Sequence, residues 1–347
     1  MTIVEAARGV TGGVDTHLDV HVAAALDPVG GLLGTAPFPT TPAGYQALLS
    51  WLESFGKVTK VGVEGTGSYG AGLSKFLRQA DIAVIEVSRP DRAERRRSGK
   101  SDPLDAVEAA RAALGGKARS IAKSKDGAVE AIRTLIVAKR SARVARTAAL
   151  VQMRHLVISA PDQLRSRLRG LSIFALVSEA SRLRPARTGD PVLNATKASV
   201  SSLARRVQSL DDEMGELDNR IEALIATNWP ELLGLFGVGP DTAATLLVAA
   251  GDNPERLHSE AAWAHLCGVA PIPAGSGKTD GRVRLDHGGD RKANSALWRI
   301  VMVRIAHDPE TTAYFTRKLK EGKSKAEVIR LLKRYVAREV YRYLPRG

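Results

Sequence analysis

One cysteine, Cys267, stands in the whole chain of 347 residues. A lone thiol excludes an internal disulfide and suits a reducing cytoplasm. No histidine or base motif adjoins it, so it reads as a small core residue rather than a nucleophile. No run of about 18 apolar residues occurs, which argues against a membrane-spanning helix. The first residues, Met1-Thr2-Ile3-Val4-Glu5, lack the basic and apolar regions of a signal peptide. Cysteines and histidines nowhere take zinc-type spacing, and His17 and His21 read as strand side chains. Acid is the minority charge: 37 Asp+Glu against 51 Lys+Arg leaves a formal net charge of +14. What remains is an ordinary globular composition, 44% hydrophobic and 25% charged, with length for two or three domains.

The positive charge is concentrated. Residues 278–347 hold 18 basic and 8 acidic residues, so this tail carries +10 of the total. A second cluster, Arg89, Arg92, Arg95, Arg96, Arg97 and Lys100, directly precedes Asp102. Such patches favour polyphosphate partners through counterion release; the plainer alternative is a solvated surface.

Periodicity divides the chain into three parts. Residues 12–27 read as one strand, followed by strands near 32–38, 58–64 and 82–87. Helices are expected from Pro42, over 71–79, and from Asp102 to about Leu114. Strands first, then strand and helix in alternation, indicate a mixed α/β domain over residues 1–122. Residues 123–228 read as a helical linker and oligomerisation region. Val200, Leu203, Val207, Leu210, Met214, Leu217, Ile221 and Leu224 recur in steps of three and four, an a/d heptad seam. With the helical segment 128–159 it would form an antiparallel hairpin, joined by a loop around 185–191. Its seam then serves either as a dimer contact or as packing against the chain's own earlier helix. Residues 229–347 read as a helical C-terminal domain. There Leu235-Phe236-Gly237-Val238-Gly239-Pro240 has the pattern of a helix-hairpin-helix turn, in which Gly237 and Gly239 would let a nucleic-acid backbone approach; the plainer alternative is a tight turn.

Four carboxylates stand where a metal ligand would. Asp15 lies in the apolar run Gly13-Val14-Asp15-Thr16-His17, and Glu64 ends Val61-Gly62-Val63-Glu64 just before Gly65-Thr66-Gly67. Asp102 and Asp105 open a helix in Lys100-Ser101-Asp102-Pro103-Leu104-Asp105. Alone, the helix pair has a structural explanation: Asp102 as N-cap, Pro103 at the first position, Asp105 facing the helix dipole. Asp15 has none, because a buried unpaired strand carboxylate costs several kcal/mol. If the four converge, they offer hard oxygen ligands to Mg²⁺ or Mn²⁺, as phosphodiester displacement requires.

This order of acids resembles the DEDD-type insertion-sequence transposases. The resemblance runs through the Gly-Val-Asp start, Val63-Glu64-Gly65-Thr66-Gly67, Asp102-Pro103-Leu104-Asp105-Ala106, the helical middle and the C-terminal segment. It implies a RuvC-like, RNase H-like mixed-sheet domain with Asp15, Glu64, Asp102 and Asp105 as metal ligands. Donor and target DNA, guidance by a bridge RNA, and action as a homodimer or tetramer in the bacterial cytoplasm, at the nucleoid, are implied as well.

The same resemblance gives the loop Gly275-Ser276-Gly277-Lys278-Thr279 a role. A P-loop needs a further glycine at position 272, which is Ile, and no strand is expected before it. The family instead places a nucleophilic serine here, and Ser276 matches it. Lys278, Arg282, Arg284, Arg291 and Lys292 would neutralise the attacked phosphate, while Arg95, Arg96, Arg97 and Lys100 would contact nucleic acid near the acids. No base for Ser276 stands out, His287 being a weak candidate. The expected activity is therefore DNA strand cleavage and transfer. The alternatives are a metal-only junction resolvase and a non-catalytic nucleic-acid scaffold.

Overall fold

A computed structural model describes residues 9–87, 101–116, 121–253, 257–275, 277, 283–284, 286 and 288–345, excepting the side chains of 283–284. The chain forms two compact units. The first takes residues 1–127, 249–289 and 344–347; the second takes 128–248 and 290–343.

The first unit is built on a five-stranded sheet of order β3-β2-β1-β4-β5. Its strands are β1 (Gly9–Asp15), β2 (Val20–Leu26), β3 (Leu32–Pro39), β4 (Lys57–Glu64) and β5 (Ala83–Val87). β1, β2 and β3 pair antiparallel, whereas β4 runs parallel to β1 and β5 parallel to β4. The single strand expected over 12–27 is thus two, with the chain reversing at residues 16–19. No glycine or proline marks that reversal. It is held instead from a distance, by Thr40, whose amide donates to the Asp19 carbonyl and whose hydroxyl donates to that of Leu18.

One face of the sheet is covered by α1 (Pro42–Glu53) and α2 (Ala71–Gln79). α1 starts as its sequence suggests, with the Thr41 hydroxyl accepting from the Gly44 amide and Pro42 in the first turn. Leu48, Leu52, Leu73 and Leu77 pack there against Val14, Val61 and Val63, all fully buried. Each such side chain contributes about 1.5–3 kcal/mol of burial. The opposite face is covered by α3 (Asp102–Leu114), through Ala106, Val107 and Ala110. Beside β5, the Asn253 side chain accepts from the Ser124 amide and donates to the Ala122 carbonyl, tying residue 253 into this unit.

The second unit is helical. Its long pair is α4 (Ala128–Ile158) and α7 (Pro191–Asn228), with α5 (Asp162–Leu168) and α6 (Ile173–Ser181) between them. The expected connecting loop is therefore a longer segment with two helices of its own. The pair is antiparallel: Lys139 meets Asp218, and seven residues further on Arg146 meets Asp211, seven residues back. Val200 and Val207 of the heptad seam are buried with Ala204 against Met153 and Val157 of α4, while Leu203, Leu210, Met214, Leu217 and Leu224 are half-buried. The seam thus packs at least partly on the chain's own helices.

Then follow α8 (Pro230–Leu233), α9 (Pro240–Ala250), α10 (Glu260–Leu266, in the first unit), the two-residue strands β6 (Ile272–Pro273) and β7 (Val283–Arg284), α11 (Arg291–His307), α12 (Pro309–Lys320) and α13 (Lys325–Tyr341). Cys267 is fully buried, as a core residue should be. Among the described residues no helix is long and apolar enough to cross a membrane.

Candidate metal centre

Side chains alternate along a strand, so residues two apart share a face. Gly13 and Asp15 therefore share one face of β1, and Gly62 and Glu64 the same face of β4. The strands are in register, Gly13 opposite Gly62 and Val14 opposite Val63. Asp15 and Glu64 consequently end adjacent parallel strands at their carboxyl ends, where open α/β sheets place their sites.

The glycines decide how close α3 can come. A Cβ on Gly13 would lie 2.2 Å from the Ala110 nitrogen, and one on Gly62 would lie 2.4 Å from the Ala109 oxygen. Helix backbone thus rests directly on strand backbone, with Ala106, Ala109, Ala110 and Ala113 as the contacting stripe. One turn towards the start of that stripe are Asp102 and Asp105, over the end of β1.

There the Asp15 carboxylate is buried, and both helix aspartates act on it electrostatically. Burial holds its pKa above the usual carboxylate value; His17 opposes this by charge and hydrogen bond, and Asp105 and Asp102 add to it. Asp15, His17 and Asp102 bring ligand atoms within 4.8 Å of one another. His17 Nε2 stands 3.0 Å from Asp15 Oδ2 and 3.6 Å from Asp102 Oδ1. Glu64 and Asp105 are not in that set. Glu64 is buried at the strand end, where the Thr16 hydroxyl donates to its carbonyl at 2.8 Å.

Two expectations change here. His17 is no strand residue but sits in the β1–β2 turn, between two acids. Its two-residue spacing from Asp15 was the available signal. Asp102 is not the N-cap: the Ser101 carbonyl accepts the first helical hydrogen bond, from Asp105, and Asp102 occupies the first helical position. The capping explanation for Asp102 is removed. His21, by contrast, is a strand side chain, fully buried and stacked on Tyr45.

The serine loop falls between β6 and β7, which pair as a small hairpin within the first unit. A short strand does precede it, contrary to expectation, and the next described strand, β7, pairs back onto it. Ser276, Lys278, Arg282 and His287 lie outside the described residues, as do Arg89, Arg92, Arg95, Arg96, Arg97 and Lys100. Flanking the hairpin is a pair the sequence did not reveal. His265 Nδ1 stands 3.0 Å from Asp286 Oδ2, and Asp286 Oδ1 accepts from the Gly288 amide at 2.9 Å. Asp286 is largely buried, whereas His265 is exposed. Twenty-one residues separate the two, too many for any spacing rule.

In the second unit, Gly237 takes φ +78° and packs beneath α11, its Cβ position 3.3 Å from the Ile300 carbonyl. The Gly239 amide already donates to the Thr242 hydroxyl. Lys139, buried, reaches Asp218 and Asp241 beside this turn, in a pocket of about 410 Å³ that Arg299 also lines. Arg291 and Lys292 are exposed at the start of α11.

The family model described as "Transposase" (DEDD_Tnp_IS110) matches residues 12–160, and "Transposase IS116/IS110/IS902 family" matches residues 230–316. The chain belongs to the IS110 family of DEDD-type transposases. It is 31% identical over 137 residues to an "Insertion element IS900 uncharacterized 42 kDa protein" of Mycobacterium paratuberculosis. It is 29% identical over 137 residues to an "Insertion element IS110 uncharacterized 43.6 kDa protein" of Streptomyces coelicolor. Each match covers 39% of this chain and 34% of the relative, so the similarity spans about a third of the length of these curated relatives.

Proposed function

We propose that the chain is a DNA transposase that cuts and rejoins strands at a centre made of the acidic cluster and Ser276. The observation that carries this is the convergence on Asp15: a buried carboxylate, in a chain of net charge +14, with Asp102 and Asp105 close enough to hinder its ionisation. Such an arrangement is costly unless a cation offsets it. The carboxylate oxygens of this set are hard donors of the kind that suit Mg²⁺ or Mn²⁺. Asp15 and Asp102 would hold the ion, with Glu64 and Asp105 at its edge and His17 steadying the two nearer acids. When bound, the ion would polarise the scissile phosphate and offset the charge that builds on it.

A RuvC-like, RNase H-like fold for residues 1–122 is supported by the strand order, with the antiparallel β2 beside β1 and parallel strands beyond. The functional division continues with 123–228 for assembly into a dimer or tetramer and 229–347 for nucleic-acid contact. The Gly237–Gly239 turn read as a helix-hairpin-helix, together with Arg284, Arg291 and Lys292, belongs to that contact. A bridge RNA fits the same basic surfaces.

In the covalent step the Ser276 hydroxyl oxygen bonds to phosphorus and the bond from phosphorus to a deoxyribose oxygen breaks. The hydroxyl proton passes to His265, which Asp286 orients through Nδ1; water protonates the departing oxygen. The reading is supported by the place of residues 249–289 in the same compact unit as the acidic cluster. The test uses DNA carrying the element's ends. Wild type is expected to leave a protein–DNA adduct that survives denaturant, and Ser276→Ala none. Undiminished cleavage by Ser276→Ala would favour the metal-only resolvase.

A further inference from the structure

α12 is unusual in burying none of its residues. Along one side runs a groove of about 650 Å³ whose polar lining is His307, Thr312, Thr316, Arg317 and Lys320, with no carboxylate among the lining residues. The Arg317 guanidinium also lies 5.4 Å from the centre of the Tyr314 ring, and Lys318 Nζ lies 5.8 Å from it. Tyr314 in turn meets Tyr335 of α13 edge-on, ring centres 5.9 Å apart at 83°. Tyr335 is 47% exposed, and Leu331, one turn before it, is exposed too. Residues 309–345 carry ten basic and four acidic side chains.

From this juxtaposition we propose that the α12 groove and Tyr335 together bind single-stranded nucleic acid, phosphates in the groove and a base stacked on the tyrosine. The inference rests on the nucleic-acid reading above and deepens it, in a part of residues 229–347 for which that reading names no contact residue. A cationic groove alone would suit any polyanion. An exposed aromatic ring, Tyr335, propped by a second ring whose own neighbours are the cations Arg317 and Lys318, adds a π face that paired bases in a duplex cannot reach. Tyr314 sets the angle of the platform, because its own ring is met by Arg317, Lys318 and, nearly at right angles, Tyr335. Arg317 belongs to both parts, lining the groove and lying over Tyr314; Glu321 stands 3.9 Å from its guanidinium and 2.6 Å from Lys318 Nζ, so a bound phosphate would compete with that carboxylate.

The test is binding of labelled oligothymidylate, oligouridylate and a duplex of equal length to the full chain. Tyr335→Ala should weaken single-strand binding about tenfold, with duplex binding and the slope against salt unchanged, since stacking is uncharged. Arg317→Ala and Lys320→Ala should each flatten that slope by about 0.7. Tyr335→Phe should bind as wild type does. A loss confined to the DNA or to the RNA strand would name the source. Equal loss on duplex, or none on either strand, would overturn the proposal. Should Tyr335→Ala unfold, photocrosslinking of a 5-bromouridine strand to the wild-type chain replaces it, and a crosslink elsewhere overturns the proposal equally.

Discussion

Gly13 of β1 and Ala110 of α3 meet backbone to backbone, with 2.2 Å between the Ala110 nitrogen and the place a Gly13 Cβ would occupy. That contact sets the height of α3 above the sheet, and with it the reach of Asp102 and Asp105 to Asp15. Gly13→Ala cannot be absorbed by a side-chain shift, since the neighbours are helix backbone. Overpacking of this kind typically costs about 1–3 kcal/mol. The urea midpoint should fall and the acidic centre should open, so metal affinity falls as well. An unchanged midpoint would mean α3 is not seated on β1.

His21 is fully buried, and neither ring nitrogen has a hydrogen-bond partner. Burial, helped by the charge of His17, lowers its pKa from 6.5 to about 4. In acid the unfolded chain takes up a proton that the folded chain refuses, so stability falls as pH drops from 6.5 towards 4. A difference of this size corresponds to up to about 3 kcal/mol. His21→Phe keeps the stack on Tyr45 and should flatten the pH dependence of unfolding in that window. An equally steep profile in His21→Phe would assign the acid sensitivity elsewhere.

His265→Gln keeps the size of the side chain and removes its proton chemistry. The rate of adduct formation at Ser276 should fall by about 10²–10⁴, the usual contribution of a positioned acid–base group. Asp286→Asn should act in the same direction by freeing the ring. Wild-type adduct rates in His265→Gln would exclude it as the acceptor.

Periodicity in the sequence carried most of the sheet: β3, β4, β5, α2 and α3 begin and end within a residue of where the pattern puts them, and α1 begins at Pro42 as expected. The exception was the β1–β2 turn. Its residues, Thr16 to Asp19, carry no turn signal, and the bonds that hold it come from Thr40. The acids were legible because apolar neighbours make a strand aspartate conspicuous. His17 was not, because a histidine beside a strand looks like strand until the reversal is known. The reason the helix acids reach Asp15 lay in plain view as Gly13, Gly62 and the alanine stripe of α3. Two separate periodicities have to be set face to face before that packing can be seen. His265 and Asp286 are joined only by the fold.

The central claim, that Asp15 anchors a divalent metal, has its own linkage signature. Because burial and the neighbouring acids raise its pKa above 3.8, the stability Asp15 contributes is present in acid and is lost as pH rises through its folded-state pKa. At neutral pH the metal-free chain thus carries an unfavourable charge, and Asp15→Asn should melt at a higher temperature than wild type in chelator. Adding Mn²⁺ should reverse the order, raising the wild-type melting temperature and leaving Asp15→Asn where it was. The most direct measurement is therefore calorimetric titration of Mn²⁺ into the two proteins. Saturable binding by wild type, lost in Asp15→Asn, is the predicted result; equal binding by both would contradict the account.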